Sequence, residues 1–375
     1  MTCKLQPKEG VRNSRLLRIV ALVLRVAVGC VFIFSGVVKG LDPYGTVIKI
    51  GEYLHAMGIE WLGPLAGVAC VALVSLEVAL GVALVVGAWP RVVAPVVLAF
   101  NVFYTALTLW LAVANPIGDC GCFGDVVVLT NWQTFWKNVA LAVASAVVWA
   151  VWRREKGARW SLWTTLCALV LTAGVATYSL ACLPLVEKFP FGEGVDLRAL
   201  VVAEPAEQEQ SGGVVCRNVA TGEVETFDLN DPAWWDESVW EFVKMEGADE
   251  PMDDRVAVTG RDFVLTDGQG DLTADVLEFE GTTRMVCVQL VDRVKAEWWS
   301  RVAEEIDYAL GRGERVVVVT ASEIGHATEV LSHVGVDVVN VEVCNMDITT
   351  LQVFLRAPSG VVVLKDGVIV EKRRI

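Results

Sequence analysis

Apolar residues fall into five long blocks in the first half of the chain: Leu16–Val38, Trp61–Ala88, Val92–Ala114, Phe135–Trp152 and Ser161–Leu183. Each is close to or above the ~20 apolar residues needed to cross a hydrocarbon core, so five transmembrane helices are predicted. The fourth block is the shortest, and Arg153, Arg154, Lys156 and Arg159 close it sharply. Gly29, Gly36, Gly67, Gly81 and Gly87 recur in the first two blocks, where small residues let helices approach closely in lipid. The basic leader MTCKLQPKEGVRNSRLLR runs straight into the first block. That block is longer than the core of a cleaved signal and others follow it, so it reads as a retained helix.

After Pro184 the pattern changes. Residues 187–210 are polar and read as a tether, and GVVCRNVATGEVETFDL reads as a β-hairpin around Thr221-Gly222. DPAWWDESVWEFVKMEG has Asp231 at an N-cap, Pro232 at N1 and helical apolar spacing, so a helix is predicted there. From Asp262 onwards β-rich runs at Met285–Val291, Arg315–Thr320, Val336–Val343 and Gly360–Leu364 alternate with helical stretches at Ala296–Leu310 and Ile324–Val334. That alternation predicts an α/β domain. The expected organisation is a tail (1–15), a transmembrane module (16–152), a fifth transmembrane helix (153–183), a tether with a small accessory region (184–260) and the α/β domain (261–375).

Charge divides the chain at the same place. Residues 1–182 carry 14 Lys/Arg against 8 Asp/Glu, a net of +6; the remainder carries 17 against 37, a net of −20. An acidic soluble half without a basic stripe excludes nucleic acid as a partner. The basic N-terminal tail, Arg91 and the RREKGAR cluster fall on one side of a five-span chain, which is then cytoplasmic. The loop ANPIGDCGCFGDVVVLTN and the C-terminal domain then lie outside, as in a bacterial inner-membrane protein with a periplasmic domain.

The outer loop carries Asp119-Cys120-Gly121-Cys122-Phe123-Gly124-Asp125. On an oxidising face two thiols so spaced can pair in a very small, strained and reducible ring, for which Gly121 supplies backbone freedom. A redox pair, a static staple, two reduced thiols and half of a metal site all remain open. No His lies in the loop, which weakens the metal reading. Asp119 and Asp125 are expected to raise both thiol pKa values, making the oxidised pair the reactive form. Glu77 lies in the middle of the second block, where a carboxylate must face the bundle interior and be paired or protonated. It reads as a proton acceptor or as a structural partner of Arg25. Lys39 and Asp42 close the first block and are expected to shape the outer mouth of the bundle.

FIFSGVVKGLDPYGTVIKIGEYL, SLEVALGVALVVG and DCGCFGDVVVLTNWQTFWKN together resemble the DoxX-like membrane family, in particular its methylamine-utilisation branch, MauE. The resemblance covers roughly residues 15–152 and implies a four-helix module that makes or maintains disulfides in exported proteins. It implies Cys120 and Cys122 as the working pair and Glu77 as a proton acceptor coupled to thiol oxidation or to a membrane quinone. DFVLTDGQGDLTADVLEFEGTTRMVCVQLV and RAPSGVVVLKDGVIVEKRR resemble the extracytoplasmic thioredoxin-like proteins of the TlpA and peroxiredoxin-like group, with Pro358 where a cis-proline usually sits. The resemblance implies the fold but not the chemistry, because VDRVKAEWWSRVAEE stands where a Cys-x-x-Cys would follow the first core strand.

Cys287 and Cys344 are expected to be buried apolar side chains. One Trp of each pair, Trp234-Trp235 and Trp298-Trp299, is expected in the core, the alternative being an anchor to a partner or to the bilayer interface. The leading expectation is a membrane thiol–disulfide oxidoreductase or disulfide-formation accessory protein whose partners are the bilayer and an exported client. A scaffold that binds partners through the degenerate domain is the rival, and a small-molecule permease a third reading.

Overall fold

A computed structural model of the chain describes residues 9–125, 127, 129–152, 161–184, 190–202, 214–219, 221, 224–227, 239–245, 260–294 and 296–375. Five of its helices are long and apolar enough to cross a membrane: within α1 (Glu9–Leu41), α3 (Ala66–Val86) with the preceding turn, α4 (Pro90–Ala114), α5 (Asn131–Trp152) and α6 (Ser161–Ala181). The protein is a multi-pass membrane protein. Between the first two spans lies α2 (Pro43–Ala56); it is too short to cross, and Pro43 opens it with a pre-set φ. The fourth span starts four residues before Phe135, because Asn131, Gln133 and Thr134 are helical although polar.

α1 packs along α3 and touches α5, α4 pairs with α5, and α6 lies on the outside of α3. Glycines set the closeness of α1 and α3. A Cβ on Gly81 would lie 2.7 Å from the Gly29 carbonyl oxygen, and one on Gly36 would lie 2.6 Å from Val78 Cγ2. α3 ends at Gly87, whose left-handed φ of +78° is the usual helix C-terminal signal.

Beyond the bundle, β1 (Cys122–Asp125) is a short extended piece of the cysteine loop. α7 (Leu197–Val202) falls in the segment expected to be a tether. It is part of the C-terminal domain instead: Phe191 and Leu197 are fully buried, with Phe191 stacked edge-on to Phe354. Strands β2 (Val214–Asn218), β3 (Val224–Phe227) and β4 (Trp240–Met245) form an antiparallel sheet in the order β3-β2-β4. The β2–β3 hairpin is the expected one, but residues 240–245 pair with β2 as a strand where a helix was predicted. Trp234 and Trp235 lie outside the described residues.

The α/β unit follows as α8 (Thr273–Leu277), β5 (Thr282–Val288), α9 (Ala296–Gly311), β6 (Arg315–Thr320), α10 (Ile324–His333), β7 (Glu342–Asn345), α11 (Ile348–Leu355), β8 (Ser359–Lys365) and β9 (Val368–Arg374). Its sheet has the order β7-β6-β5-β8-β9, with β5, β6 and β7 parallel and β8 and β9 antiparallel to their neighbours. Successive side chains point to opposite faces of a strand, so Met285 and Cys287 pack against α11 while Val286 and Val288 pack under α9. The third apolar run, Val336–Val343, forms strand only from Glu342, because a 3₁₀ turn at Val338–Asn340 precedes it.

Candidate functional site

The site is built where α1, α3, α4 and α5 meet the cysteine loop. On α1, Ser35 and Lys39 are one turn apart and share a face. Lys39 Nζ donates to Glu77 Oε1 at 2.8 Å and to Oε2 at 3.0 Å, with only 4% and 5% of the two side chains exposed. Glu77 is therefore paired inside the bundle, but with Lys39. Arg25, the partner expected from sequence, lies at the opposite end of α3, near Gly87 and over the Trp152 ring at 4.9 Å. The antiparallel crossing decides this, since it brings residues near 39 on α1 alongside Glu77 and carries Arg25 towards Gly87.

Ser35 links the ion pair to the cysteines. Its Oγ lies 2.9 Å from Glu77 Oε2 and 2.6 Å from the Cys122 carbonyl oxygen, and its single proton can serve only one of them at a time. The loop is braced at its base by Asn131, whose amide donates to Asn115 Oδ1 and to the Ile117 carbonyl, both at 2.8 Å. From α2, Tyr53 donates to the Cys120 carbonyl at 3.2 Å and Lys49 pairs with Asp119 at 2.7 Å. Asp119 in turn accepts from the Gly121 N–H at 2.9 Å. Gly121 has φ +64° and lies against the Lys49 stem, with 3.0 Å left for a Cβ, so both its backbone and its surroundings favour glycine. The Asp125 side chain lies outside the described set.

Both cysteines are free thiols in contact with each other, but their surroundings differ. Cys120 is buried against Leu111 and Ile117, whereas Cys122 is half-buried at a cleft. The Cys120 thiol donates to the Cys122 sulfur, which lowers the Cys122 pKa to about 6 with further help from the Lys137 ammonium. The same bond, together with burial, pushes Cys120 well up. Only Cys120 is raised, and by its partner thiol and burial rather than by the flanking carboxylates from which a rise at both thiols was expected. The Asp119 carboxylate is neutralised by Lys49, and Lys137, which also lies 4.3 Å from the Phe123 ring centroid, brings positive charge to Cys122.

A cleft opens beside Cys122. Its aromatic walls are Phe32, Phe100, Tyr104 and Phe123, and its polar groups are Ser35, Lys39, Glu77, Asn101, Lys137 and Asn138 along with Cys122. Sequence reasoning did not single out Lys137, Ser35, Tyr53 or Lys49 as parts of the site. The spacing of Ser35 from Lys39 was a usable signal, as was a lysine at the head of an apolar helix.

Lys39 and Asp42 do lie at this end of the bundle. Asp42 pairs with Arg356 of the C-terminal domain at 3.2 Å. Pro358 stands two residues further on; its peptide bond is trans, and its carbonyl accepts from the Gln289 N–H at 3.0 Å. Within the α/β unit Cys287 and Cys344 are fully buried, and burial raises their thiols to about 12 and about 11. Trp299 is in the core while Trp298 lies beside Arg374. His326 pairs with Asp292. Among the described residues no cluster of three His, Cys, Asp or Glu could hold a metal.

These features define a class, a multi-span membrane bundle with a thiol pair at its mouth and an α/β domain on the same end. Residues 17–153, which span the first four transmembrane helices and the cysteine loop, match the family described as methylamine utilisation protein MauE. No curated protein and no solved structure matches the chain.

Proposed function

We propose that the protein is a membrane thiol–disulfide oxidoreductase, or an accessory in disulfide formation, that acts on exported proteins through Cys120 and Cys122. The observation that carries this reading is the thiol pair itself, one member acidic and facing a cleft, the other its buried hydrogen-bond donor. In the first step a client dithiol reduces the Cys120–Cys122 disulfide: the client's S–S bond forms, the loop's breaks, and two protons and two electrons pass to the loop. Reoxidation returns two electrons and two protons to a lipid-soluble acceptor such as a membrane quinone, which leaves as the quinol. The aromatic walls of the cleft suit such a ring, and Lys137, Asn101 and Asn138 suit its oxygens. Glu77, paired with Lys39 and bonded to Ser35 beside the Cys122 backbone, would serve as the acceptor for the proton that leaves the loop.

In this reading the cysteine loop and the C-terminal domain face the outside of a bacterial inner membrane and the N-terminus faces the cytoplasm. The C-terminal domain, read as thioredoxin-like, recognises the client without chemistry of its own. The parallel and antiparallel arrangement of its sheet supports that, as does the burial of both its core cysteines. The same burial favours the second reading, a scaffold that binds a partner through this domain. The test is oxidation of a reduced peptide by the purified full-length protein. A Cys120→Ser/Cys122→Ser variant should be inactive while Cys287→Ala keeps its rate; equal rates for the double variant and wild type would leave only the scaffold.

A further inference from the structure

Helix α2 is held at both ends by groups that matter to other parts of the molecule. At its start, Asp42 pairs with Arg356 at 3.2 Å, both side chains less than a tenth exposed, and the Tyr44 hydroxyl donates to Gln289 Oε1 at 2.8 Å. Gln289 and Arg356 belong to one end of the α/β unit: the Gln289 side chain also donates to the Ala357 carbonyl at 2.7 Å. Further along the same helix Lys49 grips Asp119, its stem lies against Gly121, and Tyr53 holds the Cys120 carbonyl. Tyr44 and Tyr53 are nine residues apart, about 14 Å along a helix axis. A rigid element of two and a half turns therefore joins the domain to the cysteine loop.

The conformation of Arg356 gives a second, independent reason to regard the contact as built. It sits after α11 with φ +53°, in the left-handed conformation that helix ends usually give to glycine. A side chain kept at such a position strains the backbone, where glycine would not. Here that side chain reaches across to the membrane module.

We propose that α2 couples the seating of the C-terminal domain to the position of the Cys120–Cys122 loop, with Asp42, Tyr44, Gln289 and Arg356 as positioning residues for the two thiols. This deepens the oxidoreductase reading by naming how its site is regulated. A protein segment that occupied the Gln289–Arg356 end of the domain would compete with α2 for it, and the cysteine loop would register the exchange through Lys49 and Tyr53.

The experiment measures the alkylation rate of Cys122 in the full-length protein in detergent, mapped by mass. Arg356→Gly removes the pair while suiting the backbone. It should change the Cys122 rate by about fivefold or more, the lower end of ordinary coupling between sites, although Arg356 touches neither cysteine. Arg356→Lys, which keeps the charge, should return the rate most of the way to wild type. Protection of Cys287 reports in the same sample that the domain is folded. If Arg356→Gly exposes Cys287, Tyr44→Phe takes its place, removing one hydroxyl. A Cys122 rate unchanged from wild type in a folded variant overturns the coupling. Equilibration with glutathione is read alongside. A wild-type pair that never forms a disulfide would sink the oxidoreductase reading, while the alkylation comparison would still decide the coupling.

Discussion

The partner thiol and the Lys137 ammonium lower the Cys122 pKa to about 6, which favours its thiolate at neutral pH, and the thiolate is the form that attacks. Alkylation of Cys122 should therefore climb as pH rises through about 6 and level off above neutrality, while Cys120 stays slow throughout. The bond from Cys120 is the largest cause of the shift, so Cys120→Ala should move the Cys122 midpoint upward further than Lys137→Gln does. Glu77 makes a different kind of prediction. Glu77→Gln leaves the Lys39 ammonium buried without its counter-charge, a loss of about 3–5 kcal/mol that thermal unfolding in detergent would register. Lys39→Met combined with Glu77→Leu should recover most of it, and no change at Arg25 should. At this scale the sequence shows which residue types carry chemistry, a Cys-Gly-Cys loop and an intramembrane acid. It does not show which cation meets the acid. Arg25 and Lys39 are fourteen residues apart on α1 and share nearly the same face, so only the crossing depth of α1 on α3 distinguishes them. The asymmetry of the two thiols was hidden for the same reason, because Lys137 reaches Cys122 from another helix.

Helices that contact through backbone cannot accept side chains at the contact. Gly81→Val should separate α1 from α3, costing about 1–3 kcal/mol or more through overpacking, whereas Gly174→Ala on α6, with nothing within 4 Å of its added Cβ, should be neutral or slightly stabilising. Melting of the two variants in the same detergent checks the contrast. Elements with one dominant signal were readable from the chain: the apolar spans, the β2–β3 hairpin, and β6 with the helices on either side of it. Those that depend on a neighbour were not. α2 is short and half-polar, and Tyr44, Lys49 and Tyr53 find partners on the C-terminal domain and the cysteine loop, far away in sequence. β4 carries helical spacing and an N-cap signal upstream, yet Trp240–Met245 pairs along β2, a tertiary partnership that overrides local preference.

For the whole molecule, labelling of introduced cysteines should place a site near Arg154 on one side of the membrane and sites near Asp119, Glu193 and Ile375 on the other. The first of these follows from the positive charge around Arg154, and the rest from an odd number of spans. The division into a membrane half and an acidic half is visible in charge alone; the seating of one on the other is not, since Asp42–Arg356 and Tyr44–Gln289 join positions more than two hundred residues apart. The burial of Phe191 in the domain's core has a consequence for that seating. Only residues 185–189 separate Pro184, after the fifth span, from Pro190, so the domain starts within about 20 Å of Pro184. A short leash makes reassociation a local event, at millimolar effective concentration, so contacts too weak to join two free molecules suffice here. Lengthening the leash by ~20 Gly/Ser residues should dilute the domain about ninefold, lowering the yield of a Tyr44→Cys/Gln289→Cys cross-link. A contact this dependent on tether length can be firm at rest and still yield to a modest competitor.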